Sequence, residues 1–143
     1  MLSRLYSVTL EGIEAVICEV EVDISGGFDK PAMIVGLPDA AVKESSERVR
    51  SAVVNSGYDY PDSESLVNLA PADIKKAGPA FDLPIALGML AGQEPLDRDL
   101  VRDYLIVGEL ALDGRVRAVN GALSMSMAAS KGGFRGIIVP DRK

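Results

Sequence analysis

From Cys18 to Ile24 apolar and polar residues alternate without a break: Cys18, Val20, Val22 and Ile24 on one side, Glu19, Glu21 and Asp23 on the other. A period of two marks a half-exposed strand. Residues 5–10 and 13–24 are therefore expected to pair as a β-hairpin around Glu11-Gly12. Ser25-Gly26-Gly27 reads as a turn, Phe28-Asp29-Lys30-Pro31 as a loop, and residues 32–35 as a short third strand. The period then changes. Gly36-Leu37-Pro38-Asp39 opens a long helix, with Asp39 as its N-cap and Ser56-Gly57 as its end. Val42, Val49 and Val53 recur on one side of it, and Lys43, Glu44, Glu47, Arg48 and Arg50 cover the other. Glu44 and Arg48 form an i,i+4 pair in the favourable order, so this side reads as solvated.

Residues 58–65 read as a polar loop and 66–70 as a fourth strand, which Pro71 stops because it has no N–H for the ladder. Lys75-Lys76-Ala77-Gly78-Pro79 is loop chemistry. Asp82 is placed as an N-cap, with Pro84 in the first turn of a helix over 83–90 that is apolar nearly all round and hence packed on several sides. An acidic connection over 93–103, with one helical turn near its end, leads to a buried strand over 104–107. Asp113-Gly114 predicts a hairpin turn into 116–119. Asn120-Gly121 opens a last helix over 122–131, Gly132-Gly133 closes it, and 135–139 forms a final strand broken by Pro140. Hairpins first and strand–helix units later predict an α+β fold: a four- or five-stranded mixed sheet with helices on one face. Its expected core is Val20, Val22, Ile34, Val49, Val53, Leu69, Ile85, Leu87, Leu90, Ile106 and Ile138.

Composition narrows the chemistry. The length of 143 residues suits one domain, 1–143. Histidine is absent, which removes Ser-His-Asp and Cys-His catalysis and the histidine-based zinc motifs. Cys18 is the only cysteine, so an internal disulfide and a four-cysteine zinc site are both impossible. That usage fits a reducing, cytoplasmic setting. No apolar run reaches the roughly 18 residues of a membrane span, and the first residues read as a strand, not a leader. The chain stops soon after its last strand, as an excised domain would. A net charge of −6 argues against a general nucleic-acid-coating surface.

Neither a P-loop nor a Gly-x-Gly-x-x-Gly dinucleotide fingerprint occurs. Most carboxylates lie in solvent-facing patterns; Asp82 and Glu109 instead border apolar elements. Without histidine, a Ser-Lys pair is the remaining nucleophilic option. Lys75 and Lys76 lie near the right loop, yet residues 78–82 hold no serine. Ser124, Ser126 and Ser130 sit among Met125, Met127, Ala128 and Ala129, where small residues simply permit close helix packing. A cationic loop feeding a buried helix N-terminus could hold an anion or a reacting group, or could be an ordinary connection.

Three stretches carry a family resemblance. They are Ile34-Val35-Gly36-Leu37-Pro38-Asp39-Ala40-Ala41-Val42-Lys43-Glu44-Ser45; Asn68-Leu69-Ala70-Pro71-Ala72-Asp73 with Gly78-Pro79-Ala80-Phe81-Asp82-Leu83-Pro84; and Gly108-Glu109-Leu110-Ala111-Leu112-Asp113-Gly114-Arg115. Together they resemble the N-terminal domain of the magnesium-chelatase-like AAA+ proteins of the ComM/YifB type. That domain is similar to the Lon proteolytic domain, with the ribosomal-protein-S5-domain-2-like fold. In the Lon pattern, Lys-Asp-Gly-Pro-Ser-Ala-Gly carries the nucleophile and a lysine opens the last helix. Here Ala77 and Ala80 stand for the aspartate and serine, and Leu123 stands for the lysine. A methyl and an isobutyl group cannot replace a hydroxyl and an amine. The resemblance thus implies the fold without the peptidase: no catalytic residue and no metal site in this domain.

It further implies an AAA+ module outside these residues. That module would bind ATP and magnesium, assemble as a homo-hexamer and drive a DNA branch-migration helicase in natural transformation. The partners implied are that module, neighbouring subunits and, through the whole protein, DNA, with no membrane. Gly78, Pro79, Asp82 and Glu109 belong to the family motifs. Lys75, Lys76, Arg115 and Arg117 are the basic residues expected to make any nucleic-acid or partner contact. The competing classes are a Lon-type peptidase, disfavoured by Ala80 and Leu123, and an S5-like RNA-binding module, disfavoured by the net charge.

Overall fold

A computed structural model describes residues 1–28, 33–37, 39–61, 63–71, 78–91 and 96–139. Strands β1 (Leu2–Glu11) and β2 (Glu14–Phe28) form the expected hairpin, in a register that sets Leu5 opposite Val20 and Val8 opposite Ile17. Then follow β3 (Met33–Val35), α1 (Asp39–Asn55), β4 (Ser63–Ala70), a 3-10 turn at Gly78–Phe81 and α2 (Asp82–Met89). A single turn, α3 (Arg98–Val101), precedes β5 (Tyr104–Ile106). The hairpin β6 (Glu109–Leu110) and β7 (Val116–Arg117), helix α4 (Ala122–Lys131) and β8 (Gly136–Ile138) complete the chain.

The main sheet has six strands in the order β3-β4-β2-β1-β5-β8, not four or five. β1 and β4 pair with β2 antiparallel, whereas β3 on β4, β5 on β1 and β8 on β5 are parallel. Mixed pairing is therefore as expected. Two strands are longer than their composition suggests. β2 runs through Ser25-Gly26-Gly27 because a bulge absorbs them: from Ile24 to Phe28 it takes four steps while β4 takes two, from Ser65 to Ser63. β4 begins at Ser63 because pairing with β2, not hydrophobicity, defines that end. The remainder of the expected loop 28–31 lies outside the described residues.

Helices cover both faces of the sheet, which corrects the one-face expectation. On one face Leu5, Cys18, Val20, Val22, Val67, Leu69 and Ile106 pack with Val49, Ala52 and Val53 of α1 and Ile85, Ala86 and Met89 of α2. Strand residues of the opposite parity, Val8, Leu105 and Val107 with Tyr6, Leu10 and Ile17, pack against Met125 and Ala129 of α4. Period-two geometry forces these two sets to opposite sides. Beyond α4 that second face is polar: Arg4 pairs with Glu19 and Glu21, and Asn68 donates to Glu21.

Eight of the eleven expected core residues are fully buried; Leu87 and Leu90 pack partly buried against the first cluster. Ile138 is 38% exposed, because β8 is the edge strand beyond β5. Two glycines shape the first face. Gly57, at φ +88°, ends α1 in a Schellman motif, with Gly57 N–H donating to Val54 O and Tyr58 N–H to Val53 O. Gly88 lets α2 lie close on the sheet: a Cβ there would stand 2.4 Å from Val22 Cγ2. Asp39 is the first residue of α1 and not its N-cap; its side chain, like that of Val42, lies outside the described set.

Candidate functional site

The three family-motif segments meet at one carboxylate. Asp82 is wholly buried at the first turn of α2. It is not the N-cap: Phe81 holds that position and makes no side-chain cap bond. Both Asp82 oxygens instead accept hydrogen bonds from other elements. Oδ1 accepts from Ser45 Oγ at 2.8 Å and Arg48 Nη2 at 3.1 Å. Oδ2 accepts from Arg48 Nε at 2.6 Å and the Leu110 amide at 3.1 Å. A carboxylate offers about four acceptor positions, and here four donors are present. The guanidinium engages both oxygens, the strongest geometry for such a pair. The positive end of the α2 backbone dipole favours the same negative charge.

Arg48 is the counter-charge, at 19% side-chain exposure. The Asp82 hydrogen bond, then its charge and those of Glu109 and Glu44, raise the guanidinium pKa above its already high ordinary value. Glu44 lies at 3.9 Å as the expected i,i+4 partner. Arg48 was expected on the solvated side of α1; it reaches inward along its edge. Ser45 and Arg48 are the residues that sequence reasoning missed. The available signal was Ser45, a polar residue set three positions after Val42 and four before Val49, inside the apolar stripe.

Hydrogen bonds extend the junction. Gly108 N–H donates to Ala80 O at 2.9 Å, and Leu83 N–H donates to Gly108 O at 3.0 Å. The β6–β7 hairpin is held at its root by Asp82 and near its tip by Asn55, whose amide donates to Leu112 O at 2.8 Å. Of the motif residues, Gly78 opens the 3-10 turn, Pro79 is exposed and Glu109 is half-buried.

The four expected contact cations are not all in view. Lys75 and Lys76 lie outside the described residues. Arg115 is exposed and paired with Asp113 at 2.9 Å. The Arg115 backbone N–H, then the Arg115 and Arg117 charges, hold the Asp113 carboxyl below the usual carboxylate range. Arg117 is exposed and stands opposite Glu109 in the hairpin register. Each arginine thus has an acidic neighbour.

Among the described residues at this junction, Ser45 is the hydroxyl that bonds Asp82. Ser45 is wholly buried, so no substrate carbonyl can reach its hydroxyl, and its proton is committed to Asp82. Ala80 is a partly buried residue packed against the second cluster, and Leu123 is 77% exposed. Among the described residues, no group of three or more His, Cys, Asp or Glu is placed to hold a metal ion, and no helix is long and apolar enough to cross a membrane.

The chain as a whole is similar to known proteins. The family model described as subunit ChlI of Mg-chelatase matches residues 20–143. The protein YifB of Escherichia coli (strain K12) is 45% identical over 142 residues, covering 99% of this chain and 28% of that protein. The competence protein ComM of Haemophilus influenzae is 44% identical over 131 residues, 91% of this chain and 25% of its own length. A Mycobacterium tuberculosis relative is 40% identical over 140 residues, 97% of this chain and 27% of its own. The chain spans about a quarter of the length of the curated relatives it matches.

Proposed function

From the premise that this chain belongs to the magnesium-chelatase-like family that includes ComM and YifB, we propose that it is a non-catalytic accessory domain of a DNA-processing AAA+ ATPase. The observation that carries this reading is the closed state of the junction. Asp82, the wholly buried acid among the described residues, spends its acceptors on Ser45, Arg48 and the Leu110 amide, so this carboxylate braces three elements and presents no free oxygen to a substrate. ATP and magnesium belong to the motor module outside these residues, as do hexamer assembly and branch migration in natural transformation. The setting is the cytoplasm.

In this reading the domain works by contact with its own motor, with neighbouring subunits, and through the whole protein with DNA. Its net charge of −6 makes DNA contact local and weak. Arg115 and Arg117, with Lys75 and Lys76, supply that contact, and sixfold repetition in a ring multiplies it.

The test compares the full-length protein with a version lacking this domain in gel-shift assays on forked and four-way DNA. Weaker binding or lost branch migration without the domain supports the accessory role, while identical behaviour contradicts it. Cleavage of casein by the 143-residue chain, abolished by a single Ser→Ala change, would instead establish a peptidase.

A further inference from the structure

At the opposite end of α2 from Asp82, the start of β1, the end of α2 and the single turn α3 enclose a cavity of about 140 Å³. Leu5, Leu87, Ala91 and Val101 give it an apolar lining. A cavity of about 150 Å³ holds a molecule the size of benzene, so any occupant here is small.

Two observations give the cavity a polar end. The first is Ser3, 5% exposed, whose Oγ has no hydrogen-bond partner. Ser3 shares its parity on β1 with Leu5 and stands opposite Val22. Both of those residues pack with α2, so the Ser3 side chain enters the layer that holds the cavity. A buried hydroxyl left unpaired is unfavourable, and a hydrogen bond to a ligand oxygen removes that cost. Rotation between staggered wells lets the hydroxyl turn toward such an oxygen.

The second observation is a pair of guanidiniums. Arg98 and Arg102 lie one helical turn apart, on one side of α3, and both line the cavity. Arg98 Nη2 donates to Leu2 O at 2.7 Å, which sets this guanidinium beside the peptide joining Leu2 to Ser3 and leaves it further N–H groups. Arg102 belongs to no ion pair among the described residues. Asp99 is the acid at the wall, and Arg4, also at the wall, is taken up by Glu19 and Glu21. Two guanidiniums against one carboxylate leave the site positive on a chain of net charge −6.

We propose that this cavity binds a small aliphatic carboxylate. Arg98 and Arg102 hold the carboxylate, Ser3 Oγ donates to it, and the aliphatic end lies against Leu87, Ala91 and Val101. Phosphate would leave the apolar lining unused, and a plain hydrocarbon would leave the hydroxyl unpaired. A free short-chain acid and the C-terminal leucine of a peptide offer the same chemistry. The proposal does not depend on the accessory role.

The test is an NMR titration of the 143-residue chain with isovalerate from about 0.1 mM to about 50 mM. Saturable shifts of the Ser3, Ala91 and Val101 amides are expected, with isovaleramide and phosphate each weaker by about tenfold or more. Ser3→Ala and Arg102→Gln should each weaken isovalerate by about threefold to tenfold. Ser7→Ala removes an equally unpartnered hydroxyl away from the cavity and should leave the affinity unchanged. Ser3→Ala gives up no hydrogen bond and Arg102 is exposed, so both variants should fold, which circular dichroism checks. The tripeptide Gly-Gly-Leu binding more tightly than isovalerate, and losing that affinity as its C-terminal amide, identifies a peptide end as the source. Isovalerate binding more tightly identifies a free acid. The absence of saturable shifts at these amides overturns the proposal. So do equal affinities for isovalerate and isovaleramide, or an affinity unchanged in both Ser3→Ala and Arg102→Gln.

Discussion

The two faces of the sheet are finished to different degrees. Over one lie α1 and α2, with Phe81, Ile85 and Leu69 fully buried and a buried carboxylate whose bonding capacity is filled. Over the other, α4 contributes two fully buried residues, Met125 and Ala129, and leaves Leu123 and Met127 in solvent. The first face has the character of a scaffold, where any loss is felt. The second has the character of a surface, where identity matters for contact and little for folding. Ser45, Asp82 and Leu110, one from each family-motif stretch, meet on the first face, where Asp82 ties α1 and the β6–β7 hairpin to α2.

The sharpest way to break this contrast is at Asp82. Asp82→Ala should cost about 3–5 kcal/mol in urea unfolding, because it strands Arg48, Ser45 and the Leu110 amide together. Arg48→Ala should cost a similar amount by leaving the carboxylate buried and unpaired. Arg48→Met with Asp82→Leu should cost less than either single change. A cost near zero for Asp82→Ala would make the first face no more committed than the second.

Next is Gly88→Ala. In a helix interior this exchange normally gains about 1 kcal/mol. Here the new Cβ would stand 2.4 Å from Val22 Cγ2, inside a filled core. A net loss of about 1–2 kcal/mol in the same measurement is expected. On the opposite face Leu123→Lys should change stability by no more than about 0.5 kcal/mol, since the side chain is already in solvent. It should produce no casein cleavage even together with Ala80→Ser, because a working pair needs support at about the 0.5 Å level.

The smallest effect is with pH. The Asn68 amide, then Arg4, hold the Glu21 carboxyl below its ordinary range, and the Arg115 backbone N–H does the same for Asp113. A lowered folded-state pKa gives stability that is complete above the ordinary carboxylate range and lost as pH falls through the lowered values. Burial raises the Tyr60 phenol, so its contribution runs the other way: complete below its ordinary pKa of about 10 and lost as pH rises through the raised one. Melting temperature should therefore fall gently on both sides of a neutral plateau. Glu21→Gln should flatten the acid side only.

Much of this fold was legible in the sequence. Strict alternation over Cys18–Ile24 placed β2, and Gly57, Asp113-Gly114 and Gly132-Gly133 placed ends and turns at the residues observed. The second covered face was not legible, since within residues 5–10 one parity is Tyr6, Val8 and Leu10 while the other is Leu5, Ser7 and Thr9, the alternation of a strand covered on one side. The bulge at Ser25-Gly26-Gly27 was not legible, because glycines serve a turn and a bulge equally well. The site was half visible. Asp82 and Glu109 stood out as acids beside apolar elements. Arg48 did not, because its i,i+4 partner Glu44 explained it locally while its stronger partner lies 34 residues away. Long-range pairing of a charged residue leaves no periodic trace.

The most direct measurement takes the full-length protein with Arg48→Met and Asp82→Leu together and determines its affinity for forked DNA beside the unchanged protein. If Asp82 is a brace and nothing more, a double variant that unfolds at a similar urea concentration should bind DNA with the same affinity and the same salt dependence. A double variant that is equally stable yet has lost DNA binding would contradict that claim and give the Asp82–Arg48 pair a direct part in the protein's work.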